Sequence, residues 1–249
     1  MEKNQLITIA LVALFFSVGF ITGEYILEDE EEEAPDVTWT ESFNIENLNF
    51  SSIGRNDYFI LEPGYQLILE GEEDGETLVL NITVTDEPKL IEGIVNGELV
   101  SIETRVVLET ETLNGELLEI SRNFFAINNE TNSVFYFGEE VDIYENGVVV
   151  SSEGEWEAFK DGALPGVMMP GIILLGARYQ QEIAPGVAMD RAEIISMTET
   201  VKTPAGTFEN CLKIEETNPI DGETEYKYYA AGIGIIQDED LKLTSYGSL

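Results

Sequence analysis

The chain has 249 residues, of which 12 are Lys or Arg and 49 are Asp or Glu, so its formal net charge is −37. Nucleic-acid phosphates are bound through clustered Lys and Arg, so we expect no nucleic-acid partner. There is no His, which removes the commonest general base and the commonest metal ligand. The acidity favours cations as partners, and it fits both adaptation to salt and general solubility.

The first region in chain order is an apolar segment at the N-terminus. The stretch from Leu6 to Gly23 carries no charge; Lys3 precedes it and the acidic run from Glu28 to Glu33 follows it. The cationic flank predicts an N-terminus in the cytoplasm and a body outside it. Because the run of 18 residues is slightly shorter than a full span of ~20 residues, residues 1–27 are either a signal-anchor helix or a cleaved signal peptide.

This segment also sets the predicted location and domain plan. We expect an extracytoplasmic protein, either anchored in the cytoplasmic membrane or secreted after cleavage. Runs of like charge are usually solvated and disordered, so residues 28–55 are interpreted as an acidic linker that lifts the body off the membrane. Residues 56–249 are interpreted as one domain.

The body shows a period of two, which is typical of strands. In residues 78–85, aliphatic side chains at every second position share one face: Leu78, Leu80, Ile82 and Val84. Residues 99–108 and 117–126 alternate in the same way, and there the polar face of the second stretch carries Glu119, Ser121 and Asn123. One apolar and one polar face predict an antiparallel sheet that is exposed to water on one side.

The connections support the same fold class. Tight hairpins need positive φ, which Asn and Gly tolerate, and such turns recur at Asn96-Gly97, Asn114-Gly115 and Asn146-Gly147. Pro204 and Gly206 predict a further turn between two strands. The sequence therefore predicts an all-β fold, a large curved antiparallel meander of about ten or more strands that resembles a half-barrel, after an N-terminal membrane helix.

Two features near the C-terminus have both a structural and a functional interpretation. Cys211, the single cysteine, is predicted to lie on the polar face of its strand beside carboxylates, which disfavour the reactive thiolate, so we interpret it as structural. Gly232 and Gly234 predict a bulge or a close backbone approach; a phosphate-binding loop is disfavoured because no helix and no Lys follow.

Several motifs of the body resemble those of a known family. They are NDYFILEPG, SVFYFGEEVDIYENGVVVSSEGEWEA, QQEIAPGVAMDRAEI, VKTPAGTFENCLKIEETNP and EYKYYAAGIGIIQ. Together they resemble a widespread family of uncharacterised secreted β-rich proteins of bacteria and archaea, over about residues 56–236. The Thr-Pro-Ala-Gly-Thr-Phe turn and the Tyr-Ala-x-Gly-Ile-Gly strand also resemble, more loosely, lipoprotein-carrier-like half-barrel domains. The first resemblance implies no activity, and the second implies a fold.

Candidate binding residues are few. Oxygen ligands for a loosely held cation occur in two acidic clusters, Asp238, Glu239 and Asp240, and Glu139, Glu140 and Asp142. Neither cluster has a complete ligand set, so we predict no metal site and no cofactor. Glycosylation sequons begin at Asn49, Asn81 and Asn129.

An apolar stretch at residues 163–176 is the remaining functional candidate. Prolines and glycines interrupt it, so we expect a loop that covers the open side of the curved sheet. It is either a permanent plug or a mobile lid over a cavity for an apolar ligand. The predicted ligand contacts are Met168, Met169, Ile172, Ile173 and Leu174.

Three functions follow in order of preference. The first is a binding or structural module without catalysis, because the chain has no His and no recognised nucleophile motif. The second is a carrier of an apolar ligand or lipid in the concavity of the half-barrel. The third is a hydrolase that uses two carboxylates. A protein partner is not specified by any of these patterns.

Overall fold

The computed structural model describes residues 39–249, except Asp74. The predicted membrane segment and the acidic run therefore lie outside the described residues. Within the described part, no helix has the length and apolarity needed to cross a membrane. The one helical element described there is a single 3-10 turn, Ile45–Asn47.

Strands make up nearly all of the regular structure. In chain order they are β1 (Phe50–Ser51), β2 (Gly54–Asn56), β3 (Phe59–Leu61), β4 (Tyr65–Glu73), β5 (Glu76–Val95), β6 (Glu98–Leu113), β7 (Glu116–Asn128), β8 (Val134–Glu145), β9 (Val148–Ser151), β10 (Trp156–Glu157), β11 (Leu164–Met169), β12 (Arg178–Gln180), β13 (Glu182–Ile183), β14 (Arg191–Thr203), β15 (Gly206–Thr217), β16 (Thr224–Ala230), β17 (Gly234–Asp238) and β18 (Leu241–Ser248).

Thirteen of these strands follow one path of hydrogen-bonded neighbours, in the order β12-β14-β15-β16-β17-β18-β4-β5-β6-β7-β8-β11-β13. The strands β1, β9 and β10 pair with β7 or β8 off this path, and β2 pairs only with β3. Each pair of these strands is antiparallel. The predicted all-β antiparallel meander is confirmed.

The sheet is more closed than a half-barrel. The two ends of the path, β12 and β13, are separated in sequence only by Gln181. Residues 178–180 pair with β14 on one side, whereas residues 182 and 183 pair with β11 on the other. The strip around Gln181 therefore joins both edges, and the sheet is nearly closed and barrel-like.

A glycine makes this junction sterically feasible. A Cβ atom at Gly166 would lie 2.3 Å from the carbonyl oxygen of Gln181, which is far below van der Waals contact. Gly166 lies on β11 opposite Tyr136 of β8. Its missing side chain therefore lets β11 approach the chain that closes the barrel.

The predicted hairpin turns are present. Asn96, Asn114 and Asn146 have φ between 50° and 53°, and the glycine after each also has positive φ. These values are those of two-residue turns that match the twist of antiparallel strands. The turn at Pro204 also joins two paired strands, since Thr203 pairs with Gly206.

The polypeptide before Asn56 is part of the β domain. Ile45 is 8% exposed, and Phe50 on β1 pairs with Asn128 on β7. Thr40 forms an isolated parallel bridge with Tyr179 of β12. Residues 39–55, assigned from the sequence to the acidic linker, therefore pack on the outside of the sheet.

This outer packing changes which face of the sheet is inside. The sequence placed Asn123 on a face exposed to water, opposite Phe124. In the structure Asn123 is 5% exposed and borders an interior cavity. Phe124 lies on the opposite face, near Trp156 and Ala163, and is 1% exposed. Both faces of β7 are buried there, so the expected water-exposed face is wrong for this strand.

Candidate functional site

The inner face of the sheet borders a cavity of about 280 Å³ that is partly open to solvent, which we call the interior cavity. Its apolar wall is formed mainly by side chains from β4 to β7, among them Leu67, Leu80, Ile82, Val84, Val107 and Phe125. Its polar wall contains Glu109, Asn123, Glu139, Glu182, Lys227 and Asp238. A concave, mostly apolar site with a few convergent polar groups is the usual form of a small-molecule site.

The apolar wall follows from strand alternation. Leu80, Ile82 and Val84 on β5 lie two residues apart, so they project to the same side. Val84 pairs with Val107 on β6, and Val107 pairs with Asn123 on β7. Because directly paired residues project to the same face, this row of side chains borders one continuous surface.

The polar wall depends on an irregularity in β8. Asn123 pairs with Glu139, whereas Phe125 pairs with Tyr136, so β8 has one more residue than β7 in this interval. This bulge turns both Tyr136 and Glu139 toward the cavity. Gly138 lies inside the bulge with φ of 131°, and a Cβ atom there would lie 2.4 Å from the carbonyl oxygen of Trp156.

Glu139 is the best-connected carboxyl of the polar wall. Burial raises its pKa to about 8; a hydrogen bond with Tyr136 acts against this increase, and the negative charges of Glu109, Glu119 and Asp190 add to it. The single hydroxyl proton of Tyr136 is placed to donate to the Asn123 amide oxygen. The Glu139 carboxyl is therefore largely protonated at neutral pH.

Two further carboxyls of the wall are shifted in the same direction. Burial raises the pKa of Glu109 to about 7, with Lys227 acting in the opposite direction. Burial also raises the pKa of Glu182 well above its usual value, and Asp190 and Glu139 contribute to the increase. Glu109, Glu139 and Glu182 lie on different strands, β6, β8 and β13. We call these three residues the carboxyl triad.

Lys227 is the cation that borders the cavity. Its Nζ lies 2.7 Å from Glu216 Oε2, 3.9 Å from Glu225 Oε2 and 4.0 Å from Asp238 Oδ2. Burial alone would lower the pKa of Lys227, but Asp238 and Glu216 overcome this effect and hold it well above its usual value. Lys227 is therefore charged at neutral pH, and its charge is already matched by neighbouring carboxylates.

The Lys227 cluster is linked to the junction of the barrel. Gln181 Nε2 donates a hydrogen bond to Glu216 Oε1 at 2.7 Å. The Gln181 Oε1 atom and the Tyr179 hydroxyl are buried without a hydrogen-bond partner. The strip that closes the sheet thus reaches the same buried polar network that borders the cavity.

A second cavity, of about 310 Å³, lies between β8 and the segment around Trp156. Its charged groups are largely paired with one another, because Lys89 Nζ lies 2.7 Å from Glu140 Oε1 and 3.7 Å from Glu157 Oε2. Lys89 also lies over the ring of Phe124. The second cavity therefore has fewer charged groups without a partner of opposite charge than the interior cavity has.

The predicted ligand contacts are divided by the structure. Met168 borders the interior cavity, whereas Met169 is fully buried in the core. Ile172 and Leu174 are 73% and 63% exposed, and Ile173 packs partly against the core. The expected loop is in part a strand, since residues 164–169 form β11 and pair with β8 and β13. Of the five residues, the structure places Met168 in the cavity wall.

The acidic candidates for cation binding do not form common sites. Asp238 borders the cavity, whereas Glu239 and Asp240 are exposed at the following turn. Glu139 is in the cavity wall, but Glu140 pairs with Lys89 and Asp142 pairs with Arg122. Among the described residues, no group of three acidic or sulfur side chains is arranged to hold a metal ion.

The sequons lie in two environments. Asn49 and Asn129 are exposed and adjacent, since the backbone N–H of Asn129 donates to the carbonyl oxygen of Asn49 at 2.9 Å. Asn81 is half-buried on β5 and accepts a hydrogen bond from Thr83. The first two positions are therefore the sterically accessible ones.

Cys211 is not on a polar surface, contrary to the expectation from alternation. It is 0% exposed, and burial raises the pKa of its thiol. The register of β14 and β15 shifts around Asn210, which has φ of 56°. This bulge moves Cys211 and Leu212 into the core together.

Sequence reasoning did not identify Glu109, Glu182 or Lys227 as site residues. Glu109 and Lys227 lie in alternating strands, where a charged residue is normally assigned to the outer face, and Glu182 lies on the two-residue strand β13. A usable signal was present on β6, where Glu109 lies two residues after Val107 and therefore projects to the same face of the strand. Alternation shows that the two share a face, but it does not show that this face points into the barrel.

Comparison with known proteins gives one family match. A family model described as DUF3108-like, a domain of unknown function, matches residues 186–248, about a quarter of the chain. This region includes β14 to β18, and with them Lys227 and Asp238. No curated protein and no solved structure shows significant similarity to the chain. The match supports a resemblance to an uncharacterised family for this region.

Proposed function

We propose that the β domain is a binding module without catalytic activity, and that its ligand is a small molecule with an apolar body held in the interior cavity. The observation that carries this proposal is the cavity itself, about 280 Å³ of space with one apolar and one polar wall. A barrel that served only as a structural unit would gain stability by filling this space, because unfilled volume forfeits packing contacts.

The size of the cavity limits the ligand. A water molecule has a share of about 30 Å³ of liquid volume, so about nine waters, or a ligand of about ten non-hydrogen atoms, would fit. Such a ligand contacts the aliphatic row on β5 and the ring of Phe125, which stacks on Tyr136 at a centroid distance of 4.6 Å. Met168 adds an adaptable contact.

The test is to fill the cavity from its apolar wall. Ligand-observed NMR with indole, which has nine non-hydrogen atoms, is expected to show binding to the wild-type protein and none to Leu80→Trp. Val149→Trp is the matched control, because Val149 is 46% exposed on β9. Equal indole signals from all three proteins would contradict the proposal, as would the absence of a signal from the wild type.

We also propose that this module works outside the cytoplasm, tethered by the stretch from Leu6 to Gly23 or secreted after its cleavage. The support is the apolar run between Lys3 and the acidic residues. Protease added to intact cells should degrade the β domain, and the size of the mature chain distinguishes an anchor from a cleaved peptide. Protection equal to that of a cytosolic control would refute this location.

The carboxyl triad favours a second candidate function, hydrolysis by acid–base catalysis. A general acid is most effective when its pKa is near the working pH, and Glu109 and Glu139 have pKa values raised to about 7 and about 8. Turnover of a panel of aryl glycosides and esters that is lost in Glu139→Gln would establish this candidate. Turnover unchanged by the substitution, or none, would leave binding as the function.

A further inference from the structure

The carboxyl triad has no cation of its own. Glu109, Glu139 and Glu182 all border the interior cavity. Within residues 39–249, no Lys or Arg nitrogen lies within 4.0 Å of their carboxyl oxygens. Glu182 is 8% exposed, and its hydrogen-bonding neighbour is the carboxyl of Asp190. Glu109 and Glu139 are half-buried, and withdrawing acids from water without a cation is unfavourable unless they are neutral or matched by a ligand.

Lys227 supplies only part of the missing charge: it acts to lower the pKa of Glu109 and of Glu182, but burial outweighs it at both. Its Nζ is engaged by Glu216 at 2.7 Å, and Asp238 and Glu225 lie within 4.0 Å. Gln181 further holds the Glu216 carboxylate in place. The positive charge at this end of the cavity is therefore already balanced, so an anionic ligand gains little there and meets the triad's negative charge.

The rest of the wall suits a cation attached to an apolar body. Tyr58, Phe59 and Tyr65 border the same space as the triad, and aromatic faces attract ammonium groups within about 6 Å of the ring centroid. An ammonium group donates up to three hydrogen bonds and needs no fixed ligand geometry, so it can bind whichever carboxyls of this wall it reaches.

We infer that the ligand of this cavity is a small apolar amine, whose ammonium group binds against Glu109, Glu139 and Glu182 while its hydrocarbon part occupies the aliphatic wall. This inference rests on the proposed function, because it names the ligand class of the same cavity. An alcohol of the same size fills the apolar wall but leaves the triad unmatched.

Binding of an amine must change the protonation of the triad. Burial raises the pKa of Glu109 to about 7 and that of Glu139 to about 8. The charged groups that act on them are Lys227, Asp238, Glu119, Asp190 and each other. An adjacent ammonium lowers a carboxyl pKa, so a proton leaves the site when the amine enters below pH 7.

The experiment compares three probes that differ only at the polar end: n-hexylamine, 1-hexanol and hexanoate. Isothermal titration uses the chain of 249 residues in lipid nanodiscs, with empty nanodiscs as the blank, at pH 6.5. Repeating each titration in two buffers of different ionisation enthalpy gives the number of protons released. The variants are Glu109→Gln, Glu139→Gln and Glu182→Gln combined, and a control with the same three-fold Glu→Gln replacement at the exposed Glu98, Glu116 and Glu145.

We expect n-hexylamine to bind the wild type at least tenfold more tightly than 1-hexanol, with release of about one proton, and hexanoate to bind more weakly than either. The triad variant should lose this preference and retain hexanol binding, whereas the exposed variant should behave like the wild type. Gln is close to isosteric with a protonated Glu, and thermal melts verify that the triad variant is folded.

The possible failures are distinguishable. If hexanol and hexylamine bind equally well and no proton is released by the wild type, the amine inference is overturned, whereas the proposed apolar site stands. Tighter binding of hexanoate overturns the inference in the opposite direction. If none of the three probes binds, the proposed function fails together with the inference. The proton count comes from the wild type alone, so it tests the inference even if the triad variant does not fold.

Discussion

The two faces of β8 are both withdrawn from bulk water, but they carry opposite chemistry. On one face Phe135 and Phe137 meet the ring of Phe50 edge to face, at centroid distances of 5.3 and 5.4 Å. On the other face Tyr136 and Glu139 border the interior cavity. A packed face admits only side chains that fill it, whereas an unfilled face can keep carboxyls that a ligand or water can reach.

The largest expected effect on unfolding free energy comes from the same substitution made on either face of the neighbouring strand β11. Met169 is 0% exposed in the packed core, and Met168 borders the cavity. We expect Met169→Asp to lose at least about 3 kcal/mol of unfolding free energy or to prevent folding, because a buried carboxylate there has no partner. Met168→Asp should cost about 1 kcal/mol, since its carboxyl can face the cavity.

Urea unfolding measured by far-UV circular dichroism checks this pair of variants. Each is the other's control, because the substitution and the strand are the same and only the face differs. A loss of equal size in both variants would show that the cavity face is as tightly packed as the core, and the contrast between the faces would not hold.

A second effect tests the carboxyl that the bulge of β8 turns inward. Because the pKa of Glu139 is raised to about 8 in the folded chain and is about 4.3 when unfolded, the native state holds more protons between these values. The unfolding free energy should therefore fall as the pH rises from about 4.5 to 8. Glu139→Gln removes this penalty.

We expect Glu139→Gln to be more stable than the wild type by about 2 kcal/mol at pH 8.5 and equal to it near pH 4.5. Denaturant titrations at both pH values give the difference. Glu98→Gln makes the same charge change at an exposed hairpin position, and it should not reproduce the gain. A wild type whose stability rises between pH 5 and 8 would rule out a buried, proton-holding Glu139.

The contrast between the faces also explains what the sequence could predict. Alternation on β5 correctly grouped Leu80, Ile82 and Val84, and the Asn-Gly turns correctly fixed the hairpins. Alternation could not say which face lies inside when an outer segment covers the other one. Ile45 and Phe50 provide such a cover, and they lie in a region whose acidic composition suggested a linker.

The site was harder to predict than the fold for a second reason. Bulges at Gly138 and Asn210 shift the register by one residue, and a shift of one residue reverses the face of every side chain beyond it. Glu139 and Cys211 follow these two bulges directly, and each lies on the side that simple alternation does not assign. The closure of the sheet around Gln181 could not be predicted from the sequence either, because it depends on contacts between distant strands.

The smallest expected effect concerns the outer surface, whose net negative charge is screened by mobile ions. Raising NaCl from 20 mM to 1 M should increase the melting temperature of residues 39–249 by about 2–4 °C, equivalent to about 1 kcal/mol.

Because the acidic candidates at Glu139, Glu140 and Asp142 do not converge on one site, Ca²⁺ should act no more strongly than Mg²⁺ at equal ionic strength. At pH 7 Glu139→Gln should show the same salt increment as the wild type, since a largely protonated Glu139 carries little charge to remove. Differential scanning calorimetry of both proteins in the three salts measures these increments. A smaller increment in the variant would mean that Glu139 is ionised and screened by mobile ions, and a larger response to Ca²⁺ than to Mg²⁺ would mean that a cation site has formed on this surface.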